Sequence, residues 1–235
     1  MSIFIFDVDG TLTKSRHKID THFSEFFQMF CQRHDVFLVT GSDKEKTIGQ
    51  IGIDVYNKCK RVYQCSGNEV WEQDQLITKN DWTITEPALA WLMVQLQKSD
   101  FPLRTGRHIE HRSGMINFSV VGRNATLGER HLYIEWDKTT NERKIIAEEF
   151  NKAFPKLEAT IGGDTGLDIS ERGVDKSQIL KYFDSTEYHK MHFFGDAIYP
   201  GGNDYTIATK VEQLGGKSYK IEQWEQICDI LKKLV

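Results

Sequence analysis

The 235-residue chain lacks several features, and each absence narrows what it can do. No apolar run approaches the roughly 20 residues needed to span a bilayer. The opening Met1-Ser2-Ile3-Phe4-Ile5-Phe6-Asp7 carries neither a basic leader nor a small-residue cleavage site. Four cysteines (Cys31, Cys59, Cys65 and Cys228) show no CxxC spacing, so neither a zinc site nor a disulfide framework is expected. Eight histidines form no HExxH cluster, and His108 and His111 read as ordinary strand residues. Positive charge is not in excess: the net charge is −4 and the pI about 6.1, unlike the basic face of a nucleic-acid binder. No internal repeat, low-complexity tract or Ser/Gly linker is visible. These absences lead to the expectation of a globular, cytoplasmic protein with no nucleic-acid or membrane partner, long enough for one large domain or two small ones.

What is present starts at the N-terminus. Ile3-Phe4-Ile5-Phe6 has the length and the β-branched and aromatic content of a buried strand. It runs into Asp7-Val8-Asp9-Gly10-Thr11-Leu12-Thr13, two carboxylates one residue apart followed by Gly-Thr. In an open α/β sheet this places negative charge at the C-terminal edge, where ligands bind. Like charges so close need a cation, and Mg²⁺, which prefers oxygen ligands, suits them. A lone Asp-Gly would read as a turn; the whole string after a buried strand reads as a site.

Asp20 or Thr21 can cap a helix whose stripe is Phe23, Phe26, Phe27 and Phe30, at core spacing. Val36 to Val39 is a second strand, ending in Thr40-Gly41-Ser42-Asp43, where Ser42 and Glu45 have capping-box spacing. Strand, helix, strand and helix in this order predict a right-handed βαβ unit on a parallel sheet. A strand candidate at Arg61-Val62-Tyr63 precedes a hairpin, Val70-Trp71 turning back to Leu76-Ile77. From Thr85-Glu86-Pro87 a helix presents Leu89, Leu92, Met93 and Leu96. Beyond it the pattern changes: His108–His111 and Met115–Val121 flank a turn, and a helix carries Ile146, Ala147 and Phe150. Strands near Leu157–Ile161 and Leu167–Ile169 follow. This mixture predicts an α+β module with an antiparallel sheet. The parallel pattern resumes at Gly173-Val174-Asp175-Lys176 with a helix holding Ile179, Leu180 and Phe183. A strand from Met191 to Phe194 then ends in Gly195-Asp196, and a turn-rich loop leads to Asn203-Asp204. The last helix carries Trp224, Ile227, Cys228, Leu231 and Leu234. The expected domains are 1–80 and 174–235 as a core, with 81–173 inserted.

Asp7, Asp9, Lys176 and Asp196 thus fall at strand ends or a helix start on one sheet edge. They are the parts of a phosphoryl-transfer site: a carboxylate nucleophile, a metal and a balancing cation. Thr40 and Ser42, hydroxyls at a strand-to-helix turn, are both candidates for holding an anion. Asn203-Asp204 reads equally as part of that edge or as a plain turn.

DVDGTLT at 7–13 matches the first motif of the haloacid dehalogenase (HAD) superfamily. The chain further resembles the eukaryotic-type phosphomannomutases, through GSD at 41–43 with Glu45-Lys46, IEHRSGMIN at 109–117 and VGRNA at 121–125 with Glu129-Arg130. IGG at 161–163 with Asp168, Gly173 to Lys176, and FFGD…PGGNDY at 193–205 add to the match. The resemblance implies an α/β fold, a HAD-like Rossmannoid parallel-sheet core with an inserted α+β cap of antiparallel sheet and helices. It implies that Asp7 accepts a phosphoryl group, Asp9 exchanges protons with the sugar hydroxyl, and Lys176 neutralises phosphoryl oxygens. Mg²⁺ would be held by Asp7, the Asp9 backbone carbonyl and Asp196. Arg16, Arg112, Arg123, Arg130 and Asp168 would bind substrate, with Thr40 or Ser42 at the transferring phosphate. Arginine suits such a clamp because its planar fork binds phosphate bidentately.

The implied activity is a Mg²⁺-dependent interconversion of mannose 6-phosphate and mannose 1-phosphate, primed by a hexose 1,6-bisphosphate, in a homodimer joined through the cap. A sugar-phosphate phosphatase, in which water accepts the phosphoryl group, is the enzymatic alternative. A non-catalytic binding protein would be expected to have lost one of the four residues, and none is lost. The chain departs from the family pattern at Gly166-Leu167 before Asp168, at Val174 and at Ala197. Its segment after Asp204, ending Thr209-Lys210, is shorter and altered, so no second ion site is expected there.

Overall fold

Strand β1 (Ile3–Phe6) is buried over its whole length, and its side chains alternate between two cores. Phe4 and Phe6 pack on one face with Phe23, Phe27 and Phe30, while Ile3 and Ile5 pack on the other with Met191, Phe193 and Ile207. A strand covered on both faces has no polar alternation, and IFIF has none. Each fully buried phenylalanine contributes roughly 2–3 kcal/mol of transfer free energy. In the computed structural model, which describes residues 2–14 and 17–234, the chain forms two compact units, Met1–Lys79 with Val174–Val235, and Asn80–Gly173.

The first unit holds a seven-stranded sheet. Helix α1 (Thr21–Arg33) is capped by Asp20, whose Oδ1 accepts the Phe23 N–H at 3.0 Å. It leads to β2 (Asp35–Val39), α2 (Lys44–Ile51), α3 (Ile53–Lys58) and β3 (Arg61–Gln64), then to the hairpin β4 (Glu69–Glu72) and β5 (Gln75–Lys79). The expected Ser42–Glu45 capping box does not form. Asp43 caps α2 instead, accepting the Lys46 N–H at 2.8 Å, because the Ser42 hydroxyl is turned toward Asp9.

In the second unit, α4 (Glu86–Lys98), β6 (Ile109–Arg112), β7 (Met115–Phe118), α5 (Leu127–Thr140), α6 (Glu142–Ala153), β8 (Leu157–Gly162) and β9 (Gly166–Glu171) follow one another. The sheet is antiparallel, in the order β6-β7-β9-β8. Ile116, Phe118, Leu167 and Ile169 point into a core with Leu92, Leu96, Tyr133 and Phe150 from the helices. The expected face of α4 is partly wrong: Met93 is exposed, and Ala88 and Gln95 are buried with Leu92 and Leu96.

The chain then returns to the first unit. The helix expected after Lys176 is a 3-10 helix, Lys176–Tyr182, with its first turn capped by Asp175. Strand β10 (Met191–Gly195), α7 (Tyr205–Gln213), β11 (Lys217–Lys220) and α8 (Glu225–Leu234) complete the fold. The sheet order is β11-β10-β1-β2-β3-β4-β5, parallel from β11 to β3, with the β4–β5 hairpin added antiparallel. The chain runs away from β1 in one direction through β2 and β3, and in the other through β10 and β11. That reversal makes the C-terminal end of β1 a topological switch point, where open sheets bind ligands. Among the described residues, no helix is long and apolar enough to cross a membrane.

Candidate active site

At that switch point the Asp7 N–H still donates to the Phe194 carbonyl, at 2.9 Å, so the backbone leaving β1 is fixed by the sheet. The chain then folds back on itself, with the Gly10 N–H donating to the Thr13 carbonyl at 2.9 Å. Gly10 has φ +83°, and a Cβ there would lie 2.3 Å from an Asp196 carboxylate oxygen. Only glycine supplies both the backbone angle and the space.

Asp7 is buried, and its carboxylate accepts from Lys176 Nζ at 2.5 Å and from the Thr11 hydroxyl at 3.2 Å. Lys176, itself 1% exposed, donates equally to Asp204 Oδ1 at 2.7 Å. The other Asp204 oxygen accepts the Ala197 N–H at 3.2 Å. Oxygens of Asp7, Asp196 and Asp204 all lie within 4.8 Å of one another. Lys176 therefore supplies one positive charge against three carboxylates. Burial pushes the Asp7 carboxyl up to about 8; Lys176 opposes this, and Asp204 and Asp196 reinforce it. Burial and Asp204 likewise raise Asp196 to about 6. For Lys176, burial disfavours the ammonium, but the Asp204 and Asp7 carboxylates outweigh it and hold the proton more tightly than usual. Hard oxygen donors around an uncompensated buried negative charge fit a divalent cation, which would replace the proton that Asp7 otherwise keeps.

Asp9 looks elsewhere. Its Oδ2 accepts from Lys46 Nζ at 2.9 Å and from the Ser42 hydroxyl at 3.2 Å, and its Oδ1 from Gln50 Nε2 at 2.8 Å. Its carboxylate is therefore not among the three clustered acids, whose third member is Asp204. The metal role that the resemblance implies for Asp9 runs through its backbone carbonyl and does not involve these contacts. Thr40 and Ser42 share one turn: the Ser42 N–H donates to the Thr40 hydroxyl at 3.1 Å. Asp204 was the residue hardest to find in the sequence, because Pro200-Gly201-Gly202-Asn203-Asp204 is made of turn formers. Its one sequence mark is its place in the FFGD…PGGNDY block.

In the second unit, Glu110, Asn117 and Asp168 stand in register across β6, β7 and β9, on the face opposite the core. Glu110 joins two of the candidate arginines: Arg112 Nε donates to its Oε1 at 2.9 Å, and Arg123 Nε to its Oε2. Burial alone would raise the Glu110 carboxyl, but the two guanidinium groups hold it below its usual range. Asp168 accepts from Asn117 Nδ2 at 2.6 Å. A Cβ on Gly166 would meet that same amide nitrogen at 2.6 Å, so Asn117 fills the space where a larger residue would stand. Arg130 lies buried in the first turn of α5. Arg16 lies outside the described residues.

Comparison with solved structures first defines the class. The chain resembles a haloacid dehalogenase-like hydrolase from Bacteroides thetaiotaomicron, with a TM-score of 0.66 at 12% identity over 100% of this chain and 99% of that one. It also resembles a sugar phosphatase of HAD subclass IIB, with a TM-score of 0.63 at 14% identity and the same coverage. At such identities the likeness establishes the fold, that of the HAD superfamily. Sequence comparison is finer. The eukaryotic phosphomannomutase family model matches residues 23–234. A phosphomannomutase of Dendrobium officinale is 34% identical over 91% of this chain and 87% of its own length, and one of Drosophila melanogaster 30% identical over 96% and 93%. The chain belongs to the eukaryotic phosphomannomutase family.

Proposed function

We propose that the protein interconverts mannose 6-phosphate and mannose 1-phosphate by way of an aspartyl-phosphate on Asp7. The observation that carries this reading is the Asp7 carboxylate at the switch point, 2.5 Å from the buried Lys176 and beside Asp196 and Asp204. An Asp7 oxygen attacks one phosphorus of the hexose 1,6-bisphosphate as the bond from that phosphorus to the sugar oxygen breaks, and Asp9 protonates the departing oxygen, leaving a hexose monophosphate. In the return step a different sugar hydroxyl gives its proton to Asp9 and takes the phosphoryl group, freeing Asp7. Lys176 balances charge on the phosphoryl oxygens throughout, and Thr40 or Ser42 donates to them. Mg²⁺, held by Asp7, Asp196 and Asp204 together with the Asp9 carbonyl, supplies charge stabilisation on the phosphoryl oxygens when bound.

A mutase needs a second anion site for the phosphate that is not reacting. The Glu110-linked pair Arg112 and Arg123, with Arg130, supplies candidates, and a hexose 1,6-bisphosphate primes the cycle. The exposed Leu127 and Leu132 of α5 and Ile145 of α6 give the inserted unit apolar surface suited to a homodimer. The deciding test incubates the protein with Mg²⁺, mannose 1-phosphate and hexose 1,6-bisphosphate. Mannose 6-phosphate is the expected product. Free phosphate as the main product would overturn the reading in favour of a phosphatase.

A further inference from the structure

Asp7 and Asp9 are two residues apart, yet their carboxylates are held by different parts of the chain. Asp9 is gripped from α2. Lys46 and Gln50 are four apart on that helix, hence on one face, and each reaches a different oxygen of the Asp9 carboxylate. Lys46 Nζ also donates to the Ser42 hydroxyl at 2.8 Å, which in turn donates to Asp9, closing a three-membered ring of contacts. Gln50 Nε2 lies 3.4 Å from the Thr13 hydroxyl as well, on the far side of the Asp9–Thr13 bridge. The Gln50 amide is buried, and its Oε1 has no hydrogen-bond partner among the described residues. An orphaned carbonyl oxygen costs stability, so the amide is oriented by what its nitrogen reaches, and that is Asp9. Other residues of the helix face away: Lys44 lies over the Trp71 ring, 3.9 Å from its centroid, and Thr47 bonds Gln64.

We propose that Lys46 and Gln50 are positioning residues that set the Asp9 carboxylate for proton exchange with the sugar hydroxyl. They thereby determine how the phosphoryl group on Asp7 divides between sugar and water. The inference rests on the mutase reading above. In the transfer from Asp7, a sugar hydroxyl oxygen bonds to phosphorus while the bond from phosphorus to the Asp7 oxygen breaks. Asp7 leaves with the electron pair, and the hydroxyl proton passes to Asp9. A bound sugar offers that hydroxyl in one geometry only, so a displaced Asp9 slows the step. Water is small, arrives in many orientations and can lose its proton to solvent. Loosening Asp9 therefore slows transfer to sugar more than transfer to water.

The test compares Lys46→Met and Gln50→Met with Lys46→Arg, which keeps a donor, and with Lys44→Met, which removes a charge from the same helix away from Asp9. Phosphoenzyme is measured by acid quench after priming with labelled hexose 1,6-bisphosphate in Mg²⁺, and mannose 6-phosphate and free phosphate are followed together. Lys46→Met and Gln50→Met are expected to bind substrate with KM within about twofold of wild type, but to lose about tenfold in kcat for sugar phosphate, part of the proton-transfer contribution. Their share of free phosphate should rise. Lys46→Arg should recover at least half of the lost kcat, and Lys44→Met should match wild type. Unchanged kcat and product ratio in Lys46→Met would overturn the proposal. So would a rise in KM alone, which would place Lys46 on the substrate's phosphate. A wild-type protein that releases only free phosphate would sink the mutase reading and this inference together; a wild-type mutase with an unaltered Lys46→Met product ratio would sink this inference alone.

Discussion

The two sheets hold charge clusters of opposite sense. At the C-terminal edge of the parallel sheet, one lysine, Lys176, stands between two of three clustered carboxylates. On the polar face of the antiparallel sheet, one carboxylate, Glu110, stands between two guanidinium groups. In the first, one cation is shared by carboxylates; in the second, one carboxylate is shared by two cations. They also differ in burial. Lys176 and its partners are almost wholly enclosed, whereas Glu110 and its arginines are about a fifth to a quarter exposed. Burial makes charge in the first cluster costly and pH-sensitive, while solvent softens the interactions of the second.

The largest effect should come from removing the central cation. Lys176→Met leaves the acids facing one another, and is expected to lower metal-free stability by about 3 kcal/mol in urea unfolding while abolishing phosphoenzyme. A variant as stable as wild type would mean that the cluster is balanced by something else. Asp7→Asn should act in the reverse sense. The Asp7 carboxyl is raised from 3.8 to about 8 and Asp196 from 3.8 to about 6, so the metal-free folded state holds more protons than the unfolded state in that window. Metal-free stability therefore falls as pH rises from about 4 to about 8. Asp7→Asn should flatten this slope and gain on the order of 1–2 kcal/mol at pH 8, with activity lost. Added Mg²⁺ should raise the wild-type Tm at pH 8 and have much less effect on the variant; equal shifts would separate Asp7 from the metal.

Smaller effects are expected on the antiparallel side. Arg123→Ala should raise KM for the sugar phosphate about tenfold, consistent with losing a charge-assisted phosphate contact, and barely change Tm. Unchanged kinetics would remove Arg123 from the anion site. Glu110→Gln releases both arginines without deleting either, and should raise KM roughly threefold at a stability cost under about 1 kcal/mol. An unaltered KM would mean that the arginines hold their places without the carboxylate.

The opening strand, the parallel βαβ order and the antiparallel sheet were legible because each rests on a local pattern that tertiary packing did not override. Other elements carry little such pattern. Helix α5 buries only Arg130 and Tyr133 and exposes Leu127 and Leu132, so its periodicity is scrambled. Its one local signal was Thr126 with Glu129, which do form a reciprocal capping box. Strand β11, Lys-Ser-Tyr-Lys, is a polar edge strand with no buried run, and α7 follows a loop so rich in turn formers that it hid the helix and left Asp204 reading equally as a turn. Ser42 was misread for a different reason. Its spacing to Glu45 satisfied a local rule, but Asp9, 33 residues earlier, claims its hydroxyl.

The Lys176–Asp7 contact spans 169 residues of chain. At roughly 5–20 residues per second on the ribosome, Asp7 is made some ten to thirty seconds before its partner. Throughout that interval β1 lacks β10 on one side, and its paired acids lack the lysine. The intervening Asn80–Gly173 has its own core and antiparallel sheet, so it is the part expected to fold while the rest waits. The edge proposed as catalytic is then completed only after Lys176 and β10 are made, and a nascent chain carries Asp7 long before it carries the lysine that balances it.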